Sequence, residues 1–446
     1  MAMQADIGVI ITARNYARYL PRCIESVLAQ GETPPWSLLI VDDGSADQTP
    51  AVIAGYRNHP RVATMRLPGV GLAAAGNAGI ARLATEWILR LDADDWLLPG
   101  AVAALHGHVL SAGADAAYGE LCLIDAADRE LFPLSQDPAV IGDGMIRSPV
   151  GSGMLFRRRA WDAVGGYDES LRYQEDFDFW LRFTERFHAV HLRRAVYAYR
   201  QHRDTMSSNR RERAAARREV KRRAVKRRGL TANSVHVVLA TGLPIAARAA
   251  GTAALALLNG ETLLERLLRQ LGSEALGVAA TIVSGEGEVE RWARKRGLAV
   301  MPPAPDVGAI GDPRLLERQA FPVDAEFVLV ISPYYPFLEP ARFAEALDTL
   351  LLGGLGRLDT AVAEPFTRLL PEDGEWLEAD GPAEGAALPG ALRLAGGVTA
   401  FHRPQTRRGA LEIFPPEDFL VTDARTLALA CALATPGAAA GSRTGT

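Results

Sequence analysis

The run Ile7-Gly8-Val9-Ile10-Ile11 contains no polar side chain, and Leu38-Leu39-Ile40-Val41 repeats the pattern further along. A strand that is apolar at every position must bury both faces, which requires a parallel sheet covered by helices on both sides. The intervening sequence agrees. Tyr19 to Gln30 has helical period, with Leu20, Ile24, Val27 and Leu28 on one face. A helix is expected from Thr49 to Tyr56, a strand from Ala63 to Leu67, a helix from Ala74 to Ala84 and a strand from Trp87 to Leu91. This alternation predicts an α/β fold with a Rossmann-like, mostly parallel sheet. Ligands of such sheets bind beyond the carboxyl ends of the strands.

With 446 residues, the chain has room for two or three domains. A net charge of -4 gives no general attraction to nucleic acid, and none is expected as a partner. Cys23, Cys122 and Cys431 are too far apart for a disulfide scaffold or a metal knot, which suits a reducing compartment. Asp6 precedes the first apolar run, unlike a secretory leader. Pro244 to Leu258 is broken by Arg248 and too short to span a bilayer. A cytoplasmic location is expected, with peripheral attachment at the inner face of the membrane left open.

Arg210 to Arg228 carries eleven Arg and Lys residues against Glu212 and Glu219. It reads as a helix stopped by Gly229, either a solvated linker or a surface attracted to anionic lipid. The expected organisation is a first domain over 1–208, a basic helical linker over 209–230, a second α/β domain over 231–435 and a flexible tail over 436–446.

Three acidic clusters follow the predicted elements. Asp92-Ala93-Asp94-Asp95 ends one strand, where neighbouring carboxylates either hold a hard cation or form a polar turn. Asp42-Asp43-Gly44-Ser45 ends another; its carboxylates could accept hydrogen bonds from a nucleoside, and Asp, Gly and Ser also favour turns and helix starts. Glu175-Asp176 opens the aromatic helical run Phe177-Asp178-Phe179-Trp180-Leu181, as helix-end charge or as a general base.

Taken in order, these clusters resemble the family 2 glycosyltransferases of the GT-A fold over about residues 7–208. The resemblance rests on Ile10-Ile11-Thr12-Ala13-Arg14-Asn15-Tyr16, Leu20 to Gln30, Val41 to Asp47, Gly71 to Ala81, Trp87 to Trp96, Gly165-Gly166-Tyr167-Asp168-Glu169, Glu175 to Asp178, and Tyr199-Arg200-Gln201-His202. It implies transfer of a sugar from a nucleoside diphosphate sugar to the hydroxyl of a glycan or lipid-linked acceptor, with inversion, in bacterial surface glycan synthesis. Thr12, Arg14, Asp43 and Asp92 would bind the nucleotide, with Asp43 reading the base. Asp94 would hold Mn²⁺ or Mg²⁺, with Asp95 as an alternative ligand; His202 would reach the metal or the diphosphate, or be structural. Asp176, beside Glu175, would be the general base. Ala126 to Val150 would form the acceptor-side loop. One departure stands out: the family commonly has Ala-Arg-Asn where this chain has Ala75-Gly76-Asn77, leaving Arg14 or Arg90 to supply a cation.

The second half alternates again: strand Val235 to Ala240, amphipathic helix Thr262 to Leu271, strand Val278 to Val283, helix Glu288 to Arg296, strand Phe327 to Ile331 and helix Pro340 to Leu352. Leu258 to Arg266, Val328 to Phe337 and Asp418 to Ala430 resemble a sugar-nucleotide cytidylyltransferase, the class that makes CMP-activated acidic sugars, and so imply a nucleotidyltransferase-like domain. The equivalent of that family's phosphate loop, Ala240 to Thr252, has Arg248 but no lysine, and the nearest candidate metal acid is Asp423. A degenerate domain serving packing, homodimer formation or acceptor binding is expected. A CTP-dependent sugar nucleotidyltransferase and a non-catalytic nucleotide-sugar scaffold are the alternatives for the whole chain.

Overall fold

A computed structural model describes residues 6–136, 148–149, 151–202, 209–232, 234–241, 252–255, 257–258, 260–273, 279–304, 326–332, 339–354, 357–363, 368–372, 375–379, 392–402 and 408–413. The expected tail (436–446), Asp418 to Ala430, residues 242–251 of the expected phosphate loop and 333–337 lie outside them. So do 137–147 and 150 of the expected acceptor-side loop. The chain divides into two compact units, Met1–Ala224 and Val225–Thr446.

The first unit opens β1 (Ile7–Ala13), α1 (Leu20–Leu28), β2 (Trp36–Asp43), α2 (Thr49–Ala54), β3 (Val62–Leu67), α3 (Leu72–Arg82) and β4 (Trp87–Asp92). Each of these strands and helices matches a sequence expectation to within a few residues. β3, β2, β1 and β4 lie side by side and all run parallel. All seven residues of β1 are buried, as its unbroken apolar run requires. Burying each Ile, Leu or Val of this core contributes about 1.5–3 kcal/mol.

Then follow β5 (Trp96–Leu97), α4 (Ala101–Ser111), β6 (Ala116–Ile124), β7 (Glu130–Leu134), β8 (Leu155–Arg157), α5 (Arg158–Val164), α6 (Glu175–Thr184), β9 (Ala189–Arg200) and α7 (Arg210–Arg227). The sheet continues from β4 through antiparallel β8 to β6, and β9 runs parallel to β6. These added strands wall the carboxyl end of β4 and bring α6 to it. Asn77 of α3 fixes that wall: its side-chain oxygen accepts the Tyr167 N–H and its amide donates to the Tyr167 carbonyl, both at 2.9 Å. Arg182 of α6 donates to the carbonyls of Val164 and Gly166 at 2.6 and 2.7 Å.

α7 is the expected basic helix. It buries Ala214, Val220, Lys221 and Ala224, and Arg223 pairs with Asp168 at 2.8 Å. Among the described residues no helix is long and apolar enough to cross a membrane.

The second unit comprises β10 (Val235–Ala240), the hairpin β11 (Leu257–Leu258) and β12 (Glu261–Thr262), α8 (Leu263–Ser273), β13 (Ala279–Val283), α9 (Gly287–Arg294), β14 (Ala299–Met301), β15 (Phe327–Ile331), α10 (Ala341–Gly353), β16 (Arg357–Ala363), the hairpin β17 (Arg368–Glu372) and β18 (Glu375–Ala379), β19 (Leu392–His402) and β20 (Arg408–Ile413). α8 starts in a capping box: Thr262 Oγ1 accepts the Glu265 N–H, and Glu265 accepts the Thr262 N–H, each at 3.1 Å. The sheet order is β14-β13-β10-β15-β19-β16-β20, parallel through β15 and antiparallel at β19.

Candidate active site

The carboxyl ends of β1, β2 and β4 gather the expected residues into two clusters. In the first cluster, β2 delivers Asp42 and Asp43. Asp42 accepts the Ser45 N–H at 2.9 Å and pairs with Arg66 at 3.3 Å, forming the turn at Gly44. Asp43 accepts the N–H groups of Val70 at 2.7 Å and Gly71 at 2.9 Å, one on each oxygen. Asp43 is therefore held in place by the loop that opens α3. A carboxylate oxygen has a second lone pair, so both retain capacity for a ligand. Thr12 lies at the end of β1, 8% exposed, with no hydrogen-bond partner for its hydroxyl among the described residues. The guanidinium of Arg14 lies beside Gly69 of the same loop.

Next to it, the turn after β4 presents Asp94. Its Oδ2 is 3.1 Å from His202 Nε2, and its charge acts on the phenol of Tyr16. Burial and then the negative charge of Asp94 hold the Tyr16 phenol well above its usual range. The rings of Tyr16 and Tyr19 lie 6.3 and 4.8 Å from the His202 ring. Asp95 is 1% exposed, and its Oδ1 accepts the Arg200 N–H at 3.0 Å. Arg200 is buried as well; it donates to the Asp94 carbonyl at 2.8 Å, binds Asp128, and lies over the rings of Tyr19 and Trp96.

The structure thus joins Asp94 to His202, while Asp95 is tied to Arg200, the last residue of β9, two residues before His202. Among the described residues no group of three or more His, Cys, Asp or Glu side chains converges on one point. Two donors still suit a hard cation that keeps waters and takes its other ligands from a diphosphate, so the residues present fit Mn²⁺ or Mg²⁺.

On the far side of β4, α6 delivers Glu175 and Asp176. Glu175 is buried and pairs with Arg90 at 2.9 Å. Arg90 also reaches Asp92 at 3.2 Å, and the Asp92 N–H donates to the Ser152 hydroxyl. Asp176 is partly buried. Burial first and the Glu175 charge second push its carboxyl up to about 7, against the lowering effect of Arg90. It shares a small cavity with Arg90, Gly151 and Tyr167. A Cβ at Gly151 would lie 3.0 Å from Asp176 Oδ2, so that glycine keeps the carboxylate accessible. Asp178 faces elsewhere and pairs with Arg182 at 2.6 Å.

Sequence reasoning missed Tyr16, Tyr19, Arg200, Gly151 and Ser152. Tyr16 and Arg200 lie inside motifs already singled out and Tyr19 opens a predicted helix, so their position was a signal, though no chemistry had been attached to them. Gly151 and Ser152 fall where no strand pattern is legible.

Comparison with known proteins places this arrangement. Residues 8–165 match the family model described as Glycosyl transferase family 2. The chain carries a family 2 glycosyltransferase domain. Residues 122–221 of that region also match a model described as Glycosyltransferase like family 2.

Chondroitin synthase of Pasteurella multocida is 30% identical over 213 residues, which is 45% of this chain and 21% of that protein. The succinoglycan biosynthesis protein ExoO of Rhizobium meliloti is 33% identical over 188 residues, 39% of this chain and 53% of that protein. The chain therefore spans about a fifth to a half of the length of these curated relatives. Among solved structures, the mannosyltransferase PcManGT of Pyrobaculum calidifontis aligns with a TM-score of 0.42 at 16% identity, covering 50% of this chain and 64% of that one.

Proposed function

We propose that this chain transfers a sugar from a nucleoside diphosphate sugar to a hydroxyl of a glycan acceptor, inverting the anomeric carbon, in the synthesis of a bacterial polysaccharide. The first unit would be a GT-A domain. The observation that carries this reading is Asp176. It is a carboxyl raised to about 7, beside a glycine that leaves it open, next to the strand end that bears Asp92 and Asp94. A base with that value is about half ionised at neutral pH and basic enough to take a hydroxyl proton. The matched relatives support the polymer context, since two of them are named for chondroitin and succinoglycan synthesis.

In this reading Thr12 and Asp43 hold the nucleoside, with Arg14 near the same loop. Asp92 fixes the ribose. Asp94 and His202 would hold Mn²⁺ or Mg²⁺, which when bound supplies positive charge to the departing diphosphate. Asp176 accepts the acceptor's proton as its oxygen attacks the anomeric carbon opposite the leaving group.

The second unit fits a non-catalytic role. Its strands β13 and β15 run into Ser284 and Ser332, where the first unit has Asp43 and Asp92. CTP-dependent release of pyrophosphate by the full chain would overturn that part of the reading.

A melting panel tests the whole. UDP, GDP, TDP and CDP are each added with and without Mn²⁺. A ligand at 100 times its dissociation constant stabilises the folded state by about 2.7 kcal/mol. A Mn²⁺-dependent rise with one diphosphate is expected and identifies the base. No rise with any of them counts against the reading.

A further inference from the structure

Arg90 is an unusual residue for its strand. The other residues of β4 up to Leu91 are apolar and buried, and the Arg90 side chain is only 7% exposed. A buried guanidinium requires carboxylate partners, and it has two, Asp92 at 3.2 Å and Glu175 at 2.9 Å. Its carbon also lies 5.2 Å from the centroid of the Tyr167 ring. Gly76 approaches the same ring: a Cβ there would be 3.2 Å from two of its carbons. A side chain at position 76 would press on that ring, and the cation beside it comes from the strand. Arg14, the other candidate cation, stands beside Gly69.

We propose that Arg90 is a positioning residue that locks Asp92 of the donor side to the Glu175–Asp176 pair of the acceptor side and supplies the cation that Gly76 does not. The inference rests on the glycosyltransferase reading for its kinetic consequence, but the coupling itself does not. One positive charge faces three carboxylates in a cavity wall. Two of them already accept its N–H groups, so Arg90 has no free fork for a diphosphate. Its work is to keep Asp92 and Glu175 from repelling each other and to restrain the rise of the Asp176 carboxyl. The groups that face Asp176 are Glu175 on its own helix, Arg90 from β4, Arg213 from α7 and Tyr197 from β9. Of the two cations, Arg90 has the larger lowering effect.

The first test needs no substrate. Melting temperature is followed from pH 5 to 9 for the full chain and for Asp176→Asn; the difference curve slopes below the folded-state value and levels off above it, and the pH at which its slope has halved is the titration midpoint of Asp176 in the folded chain. The expected midpoint is near 7. In an Arg90→Met background it rises by about one unit or more, whereas Arg90→Lys moves it by less than about half a unit. An unmoved midpoint in Arg90→Met overturns the proposal. Should that variant not fold, Arg90→Met/Glu175→Gln is compared with Glu175→Gln alone. The double variant is expected to have the higher midpoint, and equal midpoints overturn the coupling.

The second test measures diphosphate release with Mn²⁺ and a panel of UDP-glucose, UDP-N-acetylglucosamine, GDP-mannose and dTDP-glucose. Arg90→Met is expected to lose about a hundredfold or more in kcat with little change in donor KM, and Arg90→Lys to recover most of that loss. A raised KM at unchanged kcat would make Arg90 a diphosphate clamp and overturn the assignment. No turnover by the unsubstituted chain would count against the glycosyltransferase reading, while the melting midpoints still decide the coupling.

Discussion

The two units of the chain share one sheet plan. In the first, β3-β2-β1-β4 run parallel, β8 is antiparallel to β4, β6 is antiparallel to β8, and β9 is parallel to β6. In the second, β14-β13-β10-β15 run parallel, β19 is antiparallel to β15, β16 is antiparallel to β19, and β20 is parallel to β16. The order in which the chain lays the strands down is the same. The ends of the strands differ. β4 closes on Asp92-Ala93-Asp94-Asp95, while β15 runs into Ser332, and β2 closes on Asp43 where β13 runs into Ser284. A shared scaffold therefore predicts nothing about chemistry here; the carboxylates at the strand ends do.

The sharpest way to break the comparison is to remove those carboxylates. Asp94→Asn and Asp176→Asn should each reduce transfer by about 10²–10⁴-fold while circular dichroism stays close to that of the unsubstituted chain and neither variant melts far below it. Ser332→Ala, at the matching place in the second unit, should leave turnover within about twofold. Loss of turnover in Ser332→Ala would put chemistry in the second unit and dissolve the contrast.

The next effect is on pH. A general base works only when ionised, and the Asp176 carboxyl is raised to about 7. Transfer should therefore fall about tenfold per unit as pH drops below 7. A carboxylate of ordinary value would leave the rate flat down to about pH 5. The sign for stability is opposite. A carboxyl raised in the folded state favours folding when protonated, so its contribution is present below about pH 4 and lost as pH rises through 7. Asp176→Asn should flatten that slope. A pH–rate profile level from 5 to 8 would sink the assignment of Asp176 as base.

These contrasts also show what the sequence discloses. β1 and β2 are legible because a strand buried on both faces must be apolar throughout, and their acidic ends stand out against that run. α8 is legible through its leucine stripe and its Thr262–Glu265 cap. The strands β6 to β9 are not, because they mix apolar with polar positions; β9 exposes Arg193 and Arg194 in its middle. The candidate site was legible in sequence as far as Asp92, Asp94, Asp176 and His202, which lie in recognisable motifs. The linkage between them was not. Arg90 reads as an interruption of an apolar run, and only the arrival of α6, some eighty residues later, gives it Glu175 as a partner. Likewise, nothing local indicates that Asn77 will clasp the backbone of Tyr167.

The smallest expected effect separates the two units by packing. Gly79 of α3 lies against β1 and β2: a Cβ there would be 2.4 Å from Ile10 Cδ1 and 2.8 Å from Val41 Cγ2. Gly272, near the end of α8, has nothing within 4 Å of the same atom. Gly79→Ala should therefore force α3 away from the sheet and cost about 1–3 kcal/mol. Since α3 carries Asn77, the clasp on Tyr167 should loosen with it, and turnover should fall along with stability. Gly272→Ala should be neutral or should stabilise by up to about 1 kcal/mol, through the lower backbone entropy of alanine in a helix. Denaturant unfolding of both variants checks the pair. If Gly79→Ala were as stable as Gly272→Ala, the close seat of α3 on β1 and β2 would not be what positions the Tyr167 wall, and the restraint on that wall would have to come from Arg182, Arg90 and the Arg223–Asp168 pair.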